Sequence, residues 1–159
     1  MTNLELIQKF YASFSNGDAN GMISCYHSNI VFTDPAFGTL KGAKAKSMWQ
    51  MLLSRSKGGL HITYSDIKAT EYMGSAKWQA KYTYGPKNRK VVNTITASFT
   101  FLDGKILEHT DTFNLWNWSK QALGLIGLIL GWTPFMKRKI QAKTNNLLNS
   151  FISSSKNME

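Results

Sequence analysis

The chain has 159 residues, a mass of 17.9 kDa and a formal net charge of +10 at pH 7, the size of one domain with a core of its own. A hydrophobic content of 43% and an aromatic content of 13% exclude a disordered chain. All but Arg55, Arg89 and Arg138 of the 19 basic residues are lysines, and they are scattered without a nucleic-acid-binding motif, so the charge reads as a solvated basic surface and no specific nucleic-acid partner is expected.

Met1 to Glu5 lack the basic and apolar regions of a secretory leader, so none is expected. Leu4, Ile7, Tyr11 and Phe14, with Leu6 and Phe10 beside them, form the stripe of an amphipathic helix that stops at Ser15-Asn16-Gly17. Asp18 is placed to cap a second short helix reaching about Tyr26. The lone cysteine, Cys25, excludes an internal disulfide and reads as a buried thiol in a reducing, cytoplasmic setting. Next comes Ile30-Val31-Phe32-Thr33-Asp34-Pro35-Ala36-Phe37-Gly38, an apolar strand that ends in a carboxylate and is stopped by proline and glycine. Residues 42–54 predict a third helix, with Ala45, Met48, Trp49 and Leu52 on one side.

From Leu60 the period becomes alternating. Strands are predicted over about 60–71, 75–84, 91–102 and 105–115, joined by Gly85-Pro86-Lys87-Asn88 and the hairpin signal Asp103-Gly104. Helices followed by an antiparallel meander define an α+β fold. The segment from Gln121 to Met136 is uncharged and interrupted by three glycines and Pro134. That is short of the ~20 apolar residues a spanning helix needs, so a buried or lid-forming helix is expected. An interfacial membrane contact through residues 115–136, flanked by Trp116, Trp118, Trp132 and Lys137-Arg138-Lys139, is the alternative. A last helix is predicted from Pro134 to Ile152.

Candidate chemistry centres on three residues. Asp34 between Phe32 and Phe37 is a carboxyl in an apolar setting, where its pKa rises and suits a general base. His109 and Asp111 are two apart on a predicted strand, so they share a face with Leu107, Phe113 and Leu115. Their Cα atoms lie about 6.5 Å apart by strand rise, close enough for Asp111 to orient His109 as an acid–base. A metal site would need a further histidine, and neither His27 nor His61 is placed for it, so no metal is expected. No phosphate loop or other cofactor motif is present, and no cofactor is expected. Trp49, Trp78, Tyr82, Phe99 and Phe113 fall on predicted inward faces as candidate ligand contacts. Tyr11, Phe14 and Phe37 join them from the first helix and the Asp34 turn.

Phe10-Tyr11-Ala12-Ser13-Phe14 with Asn16-Gly17-Asp18, then Phe32-Thr33-Asp34-Pro35, a helix opened by Gly42, and Glu108-His109-Thr110-Asp111-Thr112-Phe113 resemble, in order and spacing, the nuclear transport factor 2-like superfamily. The nearest branches are the SnoaL-like and ketosteroid isomerase-like proteins. The resemblance covers residues 3–115 and implies a cone, a curved antiparallel sheet wrapped around the N-terminal helices over an apolar pocket, in a homodimer. Residues 1–115 would then be the cone domain and 116–159 a C-terminal helical extension packed on it. Asp34 falls on the proton-shuttling aspartate of ketosteroid isomerases. Their oxyanion-binding tyrosine and aspartic acid match Phe10 and Ala97, which have no donor, so the resemblance argues against steroid isomerisation. His109 and Asp111 match a polar pair of SnoaL-like proteins. Three functions remain open: acid–base chemistry of isomerase, cyclase or hydrolase type on a small hydrophobic molecule, non-catalytic binding of such a ligand, and peripheral membrane or partner binding through residues 115–136.

Overall fold

The computed structural model describes residues 1–158. Helix α1 (Asn3–Ser15) starts at a reciprocal cap: the Thr2 hydroxyl accepts the Glu5 N–H at 3.2 Å and the Glu5 carboxylate accepts the Thr2 N–H at 2.7 Å. Its inner face buries Leu6, Ile7, Phe10, Tyr11 and Phe14. Helix α2 (Ala19–Ser24) is capped by Asp18, which accepts the Gly21 N–H at 2.8 Å. Cys25 follows it, fully buried, and burial pushes its thiol pKa up, as expected of an inert structural thiol.

The chain continues through β1 (Tyr26–Asp34), β2 (Gly38–Lys41), α3 (Ala43–Ser56), β3 (His61–Ala69), β4 (Met73–Tyr84), β5 (Arg89–Leu102) and β6 (Lys105–Thr112). The six strands form one sheet in the order β2-β1-β6-β5-β4-β3. Every pairing is antiparallel except β1 with β6, two strands far enough apart in sequence for a crossover to join them in parallel. The fold is the expected α+β cone. Strand alternation decides what enters it: Ala76 and Ala80 of β4 are buried, Trp78 and Tyr82 are half-buried, and Lys77 and Lys81 face solvent. Helices α1 and α3 supply the opposing apolar surface, with Met48, Trp49 and Met51 buried from α3.

Two details depart from the sequence reading. Strand β2 was not expected; it has four residues, of which only Leu40 is buried, too few for an alternation to show. In β6, Ile106 is fully buried while Leu107 is half-buried, although alternation places Leu107 with His109. An irregularity in the β5–β6 pairing at Thr100/Phe101 inserts the extra residue that reverses the parity.

The C-terminal part forms α4 (Leu115–Leu123), α5 (Leu125–Leu130) and α6 (Pro134–Lys156). The apolar tail is not the single buried helix expected. Gly124, at φ +66°, breaks it, and α5 folds back onto α4. A Cβ on Gly127 would collide with the Ser119 carbonyl, and one on Gly131 with the Ser119 side chain, so the glycine face is the one that packs. The larger side chains of α5 are thereby directed outward. Helix α6 joins the main core through Leu148, fully buried, with Leu147, Phe151 and Ile152 packed against it. Its N-terminal half, through Met136 and Ile140, forms a second cluster with Val91, Trp118 and Ala122.

Candidate functional site

Asp34 ends β1 at the seam between these two apolar clusters, next to Ala36, which packs against both. Its Oδ1 accepts the N–H groups of Ala36 at 2.9 Å and Phe37 at 2.6 Å, an Asx turn set up by Pro35. Helix α6 holds the same turn from the other side. Gln141 Nε2 donates to the Pro35 carbonyl at 3.1 Å, Thr144 Oγ1 to Ala36 at 2.7 Å and Asn145 Nδ2 to Phe37 at 2.9 Å. Residues 141, 144 and 145 lie on one helical face, so three successive carbonyls are satisfied by one element. Among the described residues no donor reaches Asp34 Oδ2. Burial pushes the Asp34 carboxyl from its usual 3.8 up to about 7. The Phe37 and Ala36 N–H groups pull it down and the Asp111 carboxylate pushes it up, and burial prevails. Tyr82, across the seam, accepts the Trp118 indole N–H at 2.7 Å, and burial raises the pKa of its hydroxyl, with Asp34 adding to the rise.

Deeper in the cone runs a continuous polar chain. Trp49 Nε1 donates to Tyr26 Oη at 2.8 Å, Tyr26 Oη lies 2.7 Å from His109 Nδ1, and His109 Nε2 lies 2.9 Å from Asp111 Oδ1. Trp78 Nε1 donates to the same Asp111 oxygen at 3.2 Å. The proton pattern follows from the ends. Indole nitrogens only donate, so Tyr26 accepts from Trp49 and Asp111 accepts from Trp78. The Asp111 carboxylate is acceptor-only, so a neutral His109 ring carries its proton on Nε2 and accepts the Tyr26 hydroxyl proton in a hydrogen bond at Nδ1. His109 donates that Nε2 proton to the Asp111 carboxylate. His109 and Asp111 are buried, as is Tyr26, and every ring hydrogen-bonding atom of His109 is used.

Around this chain the interior is filled with rings. Phe10, Phe32 and Phe99 stand 5.3, 5.2 and 4.5 Å from the His109 ring, and Trp49 stacks on it at 6.1 Å. Phe14 packs edge-on to Trp49 and Trp78. Tyr11 lies against Tyr64, Trp78 and Phe99, and its fully buried hydroxyl has no hydrogen-bond partner. Two open surface concavities lie elsewhere. One of about 340 Å³ is lined by Val92, Asn93, Thr94 and residues of α4; one of about 450 Å³ lies between Leu115, Trp116, Trp132 and Lys137.

The candidate residues named from sequence thus separate into two groups. His109, Asp111, Trp49 and Trp78 belong to one hydrogen-bonded chain, with Tyr11, Phe14 and Phe99 packed around it. Asp34 and Phe37 lie at the seam, where Tyr82 and Phe113 pack against the second cluster. Phe10, fully buried against His109, and Ala97, fully buried and in register with Asp111, occupy the positions matched to oxyanion donors. Two contributors were missed. The sequence pattern puts Tyr26 at a helix end, although Tyr26, Ile30 and Phe32 share a parity that places all three inward, and it puts Trp118 at the flank of the apolar tail. Among the described residues no three His, Cys, Asp or Glu side chains gather in a metal-binding group.

Residues 7–109 match the SnoaL-like domain family, and the chain belongs to it, within the nuclear transport factor 2-like superfamily. No curated protein matches the chain. Among solved structures the fold is similar to that of TerC co-crystallised with polyporic acid, at a TM-score of 0.61 and 20% identity over 70% of this chain and 91% of that one. A candidate polyketide cyclase from Xanthomonas campestris pv. campestris gives 0.60 and 20%, over 74% and 93% of the two chains. An LEH-like epoxide hydrolase of M. tuberculosis gives 0.60 and 20%, over 80% and 94%.

Proposed function

We propose that this protein performs acid–base chemistry, of isomerase, cyclase or hydrolase type, on a small hydrophobic molecule, with Asp34 as the proton acceptor. The observation that carries this reading is the state of Asp34. One carboxylate oxygen is fixed by two backbone N–H groups, the other is uncommitted, and burial brings the pKa to about 7. Such a group is partly ionised at neutral pH and basic enough to take a proton there. Asp111, which also bears on the pKa of Asp34, is the second carboxylate, and His109 acts through it as a positioning residue. Phe37, Tyr82 and Phe113 supply the apolar surroundings of Asp34, and Tyr11, Phe14, Trp49, Trp78 and Phe99 line the deeper part. A ring-filled interior means that a ligand enters by displacing side chains at the seam. The enzymes of this fold described as polyketide cyclases and epoxide hydrolases support the reaction classes. Phe10 and Ala97 weigh against steroid isomerisation, because neither donates to an oxyanion. The same reading takes residues 1–115 as the cone and 116–159 as the extension over its mouth, in a cytoplasmic homodimer.

The experiment is a turnover screen against epoxides and cyclisable polyketide-type substrates, with Asp34→Asn beside the unaltered protein. Loss of at least ~100-fold in rate is expected for a missing general base; turnover kept within a few-fold removes Asp34 from the mechanism. A second reading, a non-catalytic binding module, is favoured by His109, whose two ring nitrogens are both engaged inside the protein. It requires a hydrophobic ligand that survives purification in native mass spectrometry and is not converted.

A further inference from the structure

We propose that the α5 tip is a docking element for an anionic lipid bilayer surface. Leu125, Ile126 and Trp132 are 71%, 61% and 66% exposed, and Leu128, Ile129 and Phe135 also face solvent. Single exposed apolar residues are ordinary, but here four on the six-residue α5 are joined by Trp132 in the turn after it and Phe135 in the first turn of α6. The packing shows why they stay outside: the face of α5 that meets α4 is its glycine face, so no repacking of this helix hides them.

Charge selects the occupant. From Thr112 to Met158 the sequence has no aspartate or glutamate, while it carries Lys120, Lys137, Arg138, Lys139, Lys143 and Lys156. Lys137, Arg138 and Lys139 are exposed directly beside Phe135, and Lys120 sits over the Trp116 ring at 4.5 Å. A second copy meeting the patch face to face would bring like charges together, whereas an anionic surface complements them. The hydrogen bonding points the same way. A helix C-terminus leaves carbonyls that normally turn to water, and hydrocarbon supplies no donor. Here Trp116 Nε1 donates to the Leu128 carbonyl at 3.1 Å, Trp132 Nε1 to Ile129 at 2.9 Å and Thr133 Oγ1 to Leu130 at 2.6 Å. Both exposed indoles therefore enter an apolar layer with their N–H groups already satisfied. The element lies on the bilayer rather than through it: α5 is about 9 Å long, and no described helix is long and apolar enough to cross a membrane.

The test is co-sedimentation of the full chain with vesicles of phosphatidylcholine alone and of phosphatidylcholine mixed with phosphatidylglycerol. Binding to the anionic vesicles is expected at least ~10-fold stronger, and weakened by a similar factor on raising salt from ~0.1 to ~0.5 M. Leu125→Ser/Ile126→Ser, at two solvent-facing positions, should abolish pelleting with an unchanged circular dichroism spectrum. Lys137→Glu/Arg138→Glu/Lys139→Glu should remove the preference for anionic lipid. Failure of the unaltered protein to pellet with anionic vesicles overturns the proposal. So does a homodimer in solution that the Leu125→Ser/Ile126→Ser pair dissociates, because a second copy would then own the patch.

Discussion

Tyr26 Oη stands 2.7 Å from His109 Nδ1 while accepting the Trp49 indole N–H at 2.8 Å, so the phenol passes a hydrogen bond inward to the histidine tautomer that Asp111 sets. Tyr26→Phe keeps the ring that stacks on Phe10 but orphans two buried groups, the Trp49 donor and the His109 acceptor. At about 1–3 kcal/mol for each orphaned group, a loss of roughly 2–6 kcal/mol in urea unfolding is expected. A change under ~0.5 kcal/mol would show that the chain is not continuous in solution.

Asp34 makes stability depend on pH with an unusual sign. Its folded pKa of about 7 lies above the ordinary 3.8, so between these values the folded state holds a proton that the unfolded chain releases. Stability from this group is full below about pH 4, falls as pH rises to about 7, and is flat beyond. The displacement corresponds to at most ~4 kcal/mol, discounted toward ~2 because the residue is only part-buried. Asp34→Asn keeps the oxygen that accepts the Ala36 and Phe37 N–H groups and never ionises. Thermal melts at pH 4 and pH 8 should show the variant stabilised at pH 8 and nearly unchanged at pH 4. Equal effects at both would contradict the assignment.

The clamp from α6 is testable at the turn itself. Thr144→Val and Asn145→Leu remove the donors to the Ala36 and Phe37 carbonyls, at a cost of about 1–2 kcal/mol each. Amide exchange at Ala36 and Phe37 should quicken in both, because the Asp34 turn loses its outer support.

Tyr11 predicts the opposite sign. Its hydroxyl is buried without a partner, and burial holds its pKa well above the ordinary 10. Tyr11→Phe should leave stability unchanged or raise it by up to ~1 kcal/mol. A destabilisation beyond ~1.5 kcal/mol in chemical denaturation would reveal a partner for the hydroxyl.

The cone was legible in the sequence because its signals are periodic. The α1 stripe at Ile7, Tyr11 and Phe14 and the β4 alternation from Ala76 to Tyr84 each require only one local geometry. Asp34 was legible as a carboxylate in apolar surroundings, though not as the hinge of an Asx turn held by Gln141, Thr144 and Asn145, more than a hundred residues later. The β6 bulge was hidden because one inserted residue reverses parity at Ile106 and Leu107 and returns to order at His109. The tail misled for a physical reason: an apolar run signals burial, but Gly127 and Gly131 fit their backbone so closely to Ser119 that the packed face of α5 is glycine and the leucines and isoleucines remain outside.

The most direct measurement is the titration of the Asp34 side-chain carboxyl by carbon-13 NMR, assigned by comparison with Asp34→Asn. A midpoint about 7, as burial at the seam dictates, supports a carboxylate that exchanges protons at neutral pH. A midpoint near 4, the ordinary aspartate range, would contradict Asp34 as the proton acceptor.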